Sequence, residues 1–379
     1  MRTAFVYSHD FASYSYGPTH PLKPIRLKLT YDLIRGYHLL DLPNSTFVEA
    51  KKADREEIAL FHSSEYIEVI EEANSGHLPY LQGLPYGLGP GDNPVFPGVY
   101  DWSVLVAGAT LQAARLIQQG EVDTAFNISG GLHHAAKSLA SGFCYFNDIA
   151  IAIQYLLQYG KRIAYIDVDV HHGDGVQGAF YDTDQVLTIS LHESGYFLFP
   201  GTGFEHEIGQ GKGIGYSVNI PLYPGADDEA VVSAFLEVVV PLIKAYQPDI
   251  LVTQLGVDAF RTDPLAHNNL TTHGFSQLVT EMRKFDLPWL ALGGGGYQIG
   301  NVARAWTLAW AIMNHREGDL PDELPATYLS EASRLGLSDP RLRDPVFRLD
   351  ADLRDRVLKE LEKSLRYIKR EVFPIIGAR

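Results

Sequence analysis

Strand-length apolar runs recur at 3–7, 124–128, 162–168, 186–191, 250–255 and 289–292, and between most of them lie segments with apolar residues at three- and four-residue spacing, at 101–119, 146–159, 227–246, 272–285 and 300–313. Strands that alternate with helices return to the sheet through crossovers, so the pattern predicts a mostly parallel α/β sheet covered by helices on both faces. In such sheets a ligand binds beyond the carboxyl ends of the strands. Four runs exit there into polar or glycine-rich sequence, at 130–134, 167–175, 255–258 and 293–297, and would converge on one rim.

The most crowded exit reads IAYIDVDVHHGDG over 163–175, with three carboxylates and two imidazoles at the end of an apolar run. In a continued strand Asp167, Asp169 and His171 share a face, because side chains two apart point the same way. Such a face repels itself unless a cation sits on it. A lone Asp-x-Asp reads as a polar strand end feeding a turn, here through Gly173 and Gly175. The addition of His171, His172 and Asp174 shifts the reading to metal binding. A hydrolytic metal site takes three protein ligands and keeps a position open for water. Asp169 and His171 supply two. Asp258 in QLGVDAF supplies the third, unless it serves only as a helix N-cap or turn residue. An Asp-His-Asp set is harder than a cysteine site, which favours Zn²⁺ and admits Fe²⁺ or Mn²⁺.

His133 and His134 follow Gly130 and Gly131, and the glycines permit a turn sharp enough to face both imidazoles toward one substrate. A histidine with a pKa near neutral can take a proton from water and give it to a leaving amine. A carboxylate behind each ring would fix its tautomer, and Asp167 and Asp174 lie in a suitable segment. The alternative is a pair of core histidines. GGGGYQIGN, at 293–301, offers a flexible turn ending in Tyr297, whose hydroxyl can donate to a developing oxyanion. Four glycines equally cradle a phosphate, although no P-loop Lys or Thr follows. Phe143 and Phe199, each near a glycine turn, either wall a narrow apolar slot or belong to the core.

At 379 residues, 46% of them apolar, the chain affords a sizeable core and is read as one domain, 1–379, with a core at about 3–313 and a helical segment at about 350–372 packed on it. Leu353, Val357, Leu361, Leu365 and Ile368 line one side of that segment. The Gly-, Pro- and Tyr-rich stretch 74–98 reads as a long loop. A formal net charge of -15 argues against a nucleic-acid-binding surface and suits basic partners such as lysine-rich segments. Cys144 is the sole cysteine, which excludes an internal disulfide and fits a reducing compartment. No apolar run approaches the length of a membrane span, so a cytoplasmic protein is expected, with no membrane partner.

GGLHHAAKSLASGFCYFND, DVDVHHGDGVQGAF, SLHESGYFLFPGTG, QLGVD and GGGGYQIGNVARAW, in that order, resemble the motifs of the zinc-dependent histone deacetylase superfamily, on its class I side and including the bacterial acetoin-utilization deacetylases. The resemblance runs from about 3 to 313. It implies the arginase-like α/β fold, one eight-stranded mostly parallel sheet between helices. It also implies metal-dependent hydrolysis of the acetyl amide of N6-acetyl-lysine in proteins or peptides. Acetylpolyamines or other small amides are the alternative substrates, and a silent acyl-lysine-binding module is the alternative from another class.

By the same resemblance Asp169, His171 and Asp258 hold Zn²⁺, with Fe²⁺ as second choice. His134, paired with Asp174, becomes the general base and acid, and His133, paired with Asp167, an electrostatic partner. Tyr297 polarises the acyl carbonyl. Gly142, Phe143, Phe199 and Leu265 line the channel for the lysine side chain, Asp92 grips the substrate backbone at the rim, and Arg26 belongs to an internal acetate pocket. Structural K⁺ would lie among Asp167, Asp169, His171, Ser190 and Leu191, and a second among Phe180, Thr183, Val186 and Tyr216. Pro264 and Gly300 stand where inositol-phosphate-binding relatives carry arginines, which speaks against that regulation. Leu265 stands where polyamine-selective relatives carry a glutamate, which favours acyl-lysine.

Overall fold

The computed structural model describes residues 2–379, and in it strands β1 (Thr3–Tyr7), β2 (Ser45–Glu49), β3 (Thr124–Asn127), β4 (Ile163–Asp167), β5 (Val186–Glu193), β6 (Ser217–Leu222), β7 (Ile250–Gln254) and β8 (Trp289–Leu292) form one sheet in the order β2-β1-β3-β8-β7-β4-β5-β6. Every neighbouring pair is parallel, as the alternation with helices requires. Six of the strands are the apolar runs of the sequence. The other two are the edges, and their sequences explain why they carry no such signal. β2 reads STFVE and is largely open to solvent. β6 reads SVNIPL, and its Pro221 pairs with His192 on the inner neighbour β5, where the missing N–H faces no further strand.

The principal helices are α1 (Ile25–Gly36), α2 (Val99–Gln118), α3 (Asp148–Leu157), α4 (Asp174–Ala179), α5 (Asp228–Ala234), α6 (Val240–Tyr246), α7 (Thr272–Arg283), α8 (Ile299–Met313) and α9 (Ala351–Glu371). The helix expected over 227–246 is divided by a wide turn, Phe235–Val239, between α5 and α6. Pro241 at the start of α6 accounts for it, since a proline inside a regular helix lacks its N–H and crowds the carbonyl four residues back.

Helices α2 and α8 are buried on nearly all sides, and Trp289, Trp306 and Trp310 are among the largest fully buried side chains. The Trp306 indole donates to the Leu255 carbonyl at 2.8 Å, fixing α8 beneath the exit of β7. The loop 74–98 holds two short helical turns, Tyr80–Gly83 and Leu84–Tyr86. Val357, Leu361, Leu365 and Ile368 of α9 are buried, with Leu353 partly so, and α9 packs on β6 and α5. Among the described residues no helix is long and apolar enough to cross a membrane.

Candidate metal centre

Strands β3, β8, β7 and β4 are consecutive across the middle of the sheet, so the four polar exits open side by side. The period of two seen in the sequence stops where β4 stops, at Asp167. Asp167 Oδ1 accepts the Asp169 N–H at 3.1 Å, and Oδ2 accepts from the Tyr165 hydroxyl at 2.6 Å and from His133 Nδ1 at 2.7 Å. The turn so formed separates two roles: Asp167 faces the histidine pair, while Asp169 and His171 face Asp258.

Asp169, His171 and Asp258 are buried, and their ligand atoms all lie within 4.8 Å of one another. Each carboxylate has one oxygen occupied by neighbours that orient it. Asp169 Oδ2 accepts from Gln254 Nε2 at 2.6 Å and from the Gly295 N–H at 2.7 Å, and Asp258 Oδ1 accepts from the Val170 N–H at 2.9 Å. The other oxygens, Asp169 Oδ1, which also accepts the His171 N–H at 3.0 Å, and Asp258 Oδ2, approach His171 Nδ1 at 3.1 and 3.0 Å. Three donor atoms therefore converge on one point. Burial and the charge of Asp169 push Asp258 up to about 7. Burial opposes the charge of Asp169 too, yet the imidazoles of His133 and His171 hold it well below the usual carboxylate range. Two buried carboxylates aimed at one spot are costly unless a cation joins them. Two oxygens and one imidazole nitrogen, oriented from behind, fit a divalent metal with an open position.

The two histidines beside this centre are held differently. His133 Nδ1 meets Asp167 and His134 Nδ1 meets Asp174 Oδ1, each at 2.7 Å, while the two Nε2 atoms approach to 3.0 Å. With both Nδ1–H groups directed at carboxylates, that contact is satisfied when one ring carries a second proton. Burial disfavours charge on both. At His133 the carboxylates of Asp167 and Asp169 outweigh it and raise the pKa to about 9. At His134 burial and the neighbouring His133 win, lowering it to about 4. The geometry places the charge on His133 and leaves His134 neutral.

The other expected residues surround this core. Burial, then Asp258 and Asp169, keep the Tyr297 hydroxyl well above its usual pKa, hence protonated. Its ring meets Phe143 edge-on at 5.6 Å. Phe199 lies 5.1 Å from the His134 ring and 6.3 Å from that of His171. Gly142 has φ +50, and a Cβ there would fall 2.3 Å from the His134 ring. Arg26 is buried, donates to the Gly296 carbonyl at 2.9 Å, and shares a small cavity with Leu22, Gly131, His133 and Tyr297. Asp92 is exposed, and its carbonyl lies 3.2 Å from His20 Nε2. Leu265 is half-buried on the loop after Asp258. Asp167 pairs with Ser190 across β4 and β5, which brings two members of the first expected potassium set side by side. In the second set the Thr183 N–H meets the Phe180 carbonyl at 3.4 Å, and Tyr216 and Val186 stand at the entries of β6 and β5. His172 bonds Thr202 and Gln177 instead of the metal group.

Four supporting residues escaped the sequence reading. Asp148, at the start of α3, accepts from Gly131 and Leu132 N–H groups and from the Thr110 hydroxyl, and so shapes the turn ahead of His133. Asn147 donates to the Ala135 carbonyl, Gln254 orients Asp169, and Asp263 accepts from the Tyr297 N–H. Only the FND ending of the His133 segment offered a signal, as an Asn N-cap before an apolar helix.

A family model described as Histone deacetylase domain matches residues 20–313. Histone deacetylase B of Dictyostelium discoideum is 42% identical over 325 residues, covering 86% of this chain and 76% of that protein. The acetoin utilization protein AcuC of Bacillus subtilis is 40% identical over 318 residues, covering 82% of each. The crystal structure of a histone deacetylase homologue from Aquifex aeolicus superposes with a TM-score of 0.88 at 36% identity, covering 97% of this chain and all of that one.

Proposed function

The chain belongs to the histone deacetylase family, and from that premise we propose that it hydrolyses the acetyl amide of N6-acetyl-lysine in proteins or peptides, releasing acetate and the lysine amine. The carrying observation is the convergence of Asp169, His171 and Asp258 beside a neutral His134, with Phe199 against the His134 ring and Phe143 against that of Tyr297.

In this reading Asp169, His171 and Asp258 hold Zn²⁺, or Fe²⁺ in its place. When bound, such a cation lowers the pKa of water to about neutral and polarises a carbonyl. His134 Nε2 takes the proton of the attacking water and delivers it to the departing lysine nitrogen, with Asp174 fixing its tautomer. His133, charged against Asp167, balances the negative charge that develops. The Tyr297 hydroxyl donates to the oxygen of the tetrahedral intermediate. Phe143, Phe199, Gly142 and Leu265 line the slot for the lysine stem, Asp92 holds the substrate backbone, and Arg26 takes the released acetate. Structural K⁺ among the carbonyls around Asp167 and Ser190 belongs to the same proposal.

The test is metal analysis of the purified protein beside a panel of acetyl-lysine peptides, longer acyl-lysines and acetylpolyamines. Acetate release from the peptides, abolished by a chelator and restored by Zn²⁺ or Fe²⁺, is expected. Faster turnover of acetylspermidine would move the assignment to small amides. No metal-dependent release from any of them would sink it.

A further inference from the structure

We propose that Asp263 is a positioning residue for this reaction: its one carboxylate ties the turn that carries Tyr297 to the loop that carries Leu265. The inference rests on the hydrolysis proposed above and adds a residue that sets donor placement and slot width together.

Asp263 is 6% exposed. Its Oδ1 accepts the Leu265 N–H at 3.0 Å, a local turn common at aspartates. Its Oδ2 accepts the Tyr297 N–H at 2.7 Å and the Gln298 N–H at 3.3 Å, reaching 34 residues along the chain to the exit of β8. A local turn explains the first bond and leaves the second unexplained. The turn ahead of Tyr297 contains Gly294 at φ +144 and Gly296 at φ +139, a backbone with little stiffness of its own. Its course is set by what grips it. Asp169 holds the Gly295 N–H, Arg26 holds the Gly296 carbonyl, and Asp263 holds Tyr297 itself.

The same loop is fastened again downstream. The His267 N–H and Nδ1 meet the two oxygens of Glu193, whose side chain is fully buried at the end of β5, at 3.0 and 2.7 Å. Residues 263–267 thus form a strap anchored to the exit of β8 at one end and to β5 at the other, with Leu265 between the anchors. Releasing the Asp263 end frees both the wall and the oxyanion donor.

A double-mutant cycle on the full chain tests this, using Asp263→Asn, Tyr297→Phe and the double variant on acetyl-lysine and butyryl-lysine peptides. Asparagine keeps one acceptor oxygen and sets an N–H₂ against one of the backbone donors. Acetate release by the wild type, and its loss in Tyr297→Phe, check the underlying reaction independently of Asp263. Asp263→Asn is expected to lower kcat about 10- to 100-fold, with KM within about twofold, metal content unchanged and the preference for acetyl over butyryl altered. In the Tyr297→Phe background the same substitution should cost less than about twofold further, because the donor it positions is gone. Losses that multiply, or unchanged kcat and selectivity in Asp263→Asn, overturn the proposal. Asp263→Ser, which keeps an acceptor in a smaller side chain, carries the same cycle if the asparagine variant does not fold.

Discussion

The Tyr297 hydroxyl and the His134 imidazole can be separated experimentally because burial keeps both uncharged with different helpers: with Asp258 and Asp169 it holds the phenol protonated, and with the neighbouring His133 it holds the imidazole neutral. Tyr297→Phe removes a donor without touching the three converging ligand atoms. Its kcat is expected to fall on the order of 10² to 10³ with metal content intact, as for loss of one oxyanion donor, and near-normal turnover would remove Tyr297 from the mechanism. His171→Ala should do the reverse: the bound metal, assayed by elemental analysis, should drop to background even where the fold is retained, because the remaining carboxylates lose the nitrogen that both approach. The residue types in DVDVHHGDG were enough to expect a metal. Their division of labour was legible there only as a suitable segment and a family resemblance; what produces it is β4 ending at Asp167, with Tyr165 and His133 reaching that carboxylate.

At the level of elements, the rim exists because β3, β8, β7 and β4 stand next to one another, although of these pairs only β7 and β8 are consecutive in the chain. The strands themselves were readable because central strands of a parallel sheet are buried on both faces and so become continuous apolar runs. The edges were unreadable for two reasons: β2 is largely exposed, while β6 is buried but has its apolar run broken by Asn219 and Pro221. Asp148, Gln254 and Asp263 were missed because what defines them is a partner far along the chain, which neither period nor local motif records. The turns between elements also set tight tolerances. A Cβ at Gly142 would lie 2.3 Å from the His134 ring, at a φ of +50, so Gly142→Ala must displace the imidazole or the loop. A displacement of about an ångström at a reacting group costs on the order of 10²-fold in rate. Gly142→Ala is therefore expected to lose kcat to that extent and to lower the thermal midpoint, since alanine is strained at that φ, and full activity in the variant would show that His134 does not need its present position.

For the whole molecule the governing quantity is the formal charge of -15, carried by 46 acidic against 31 basic residues. At the four central strand exits Asp167 and Asp174 are paired with imidazoles, Asp169 and Asp258 would be joined by a metal, and Asp148 and Asp263 accept from backbone N–H groups. Most of the 46 acidic residues lie outside this centre, so a substrate approaching the molecule meets a net negative charge. An acetyl-lysine flanked by unmodified lysines meets attraction, and one flanked by glutamates meets repulsion. These are interactions between exposed charges, so they weaken once the ionic strength brings the Debye length to about 8 Å or less. The expected outcome is a kcat/KM that is higher for the lysine-flanked peptide at low salt and falls as salt is added, while the glutamate-flanked peptide gains or stays level. The change should appear mainly in KM, because steering alters encounter and leaves the buried chemistry at Asp169, His171 and Asp258 untouched. Equal salt dependence for the two peptides would mean that the surface charge serves solubility alone and that substrate choice is made inside the slot.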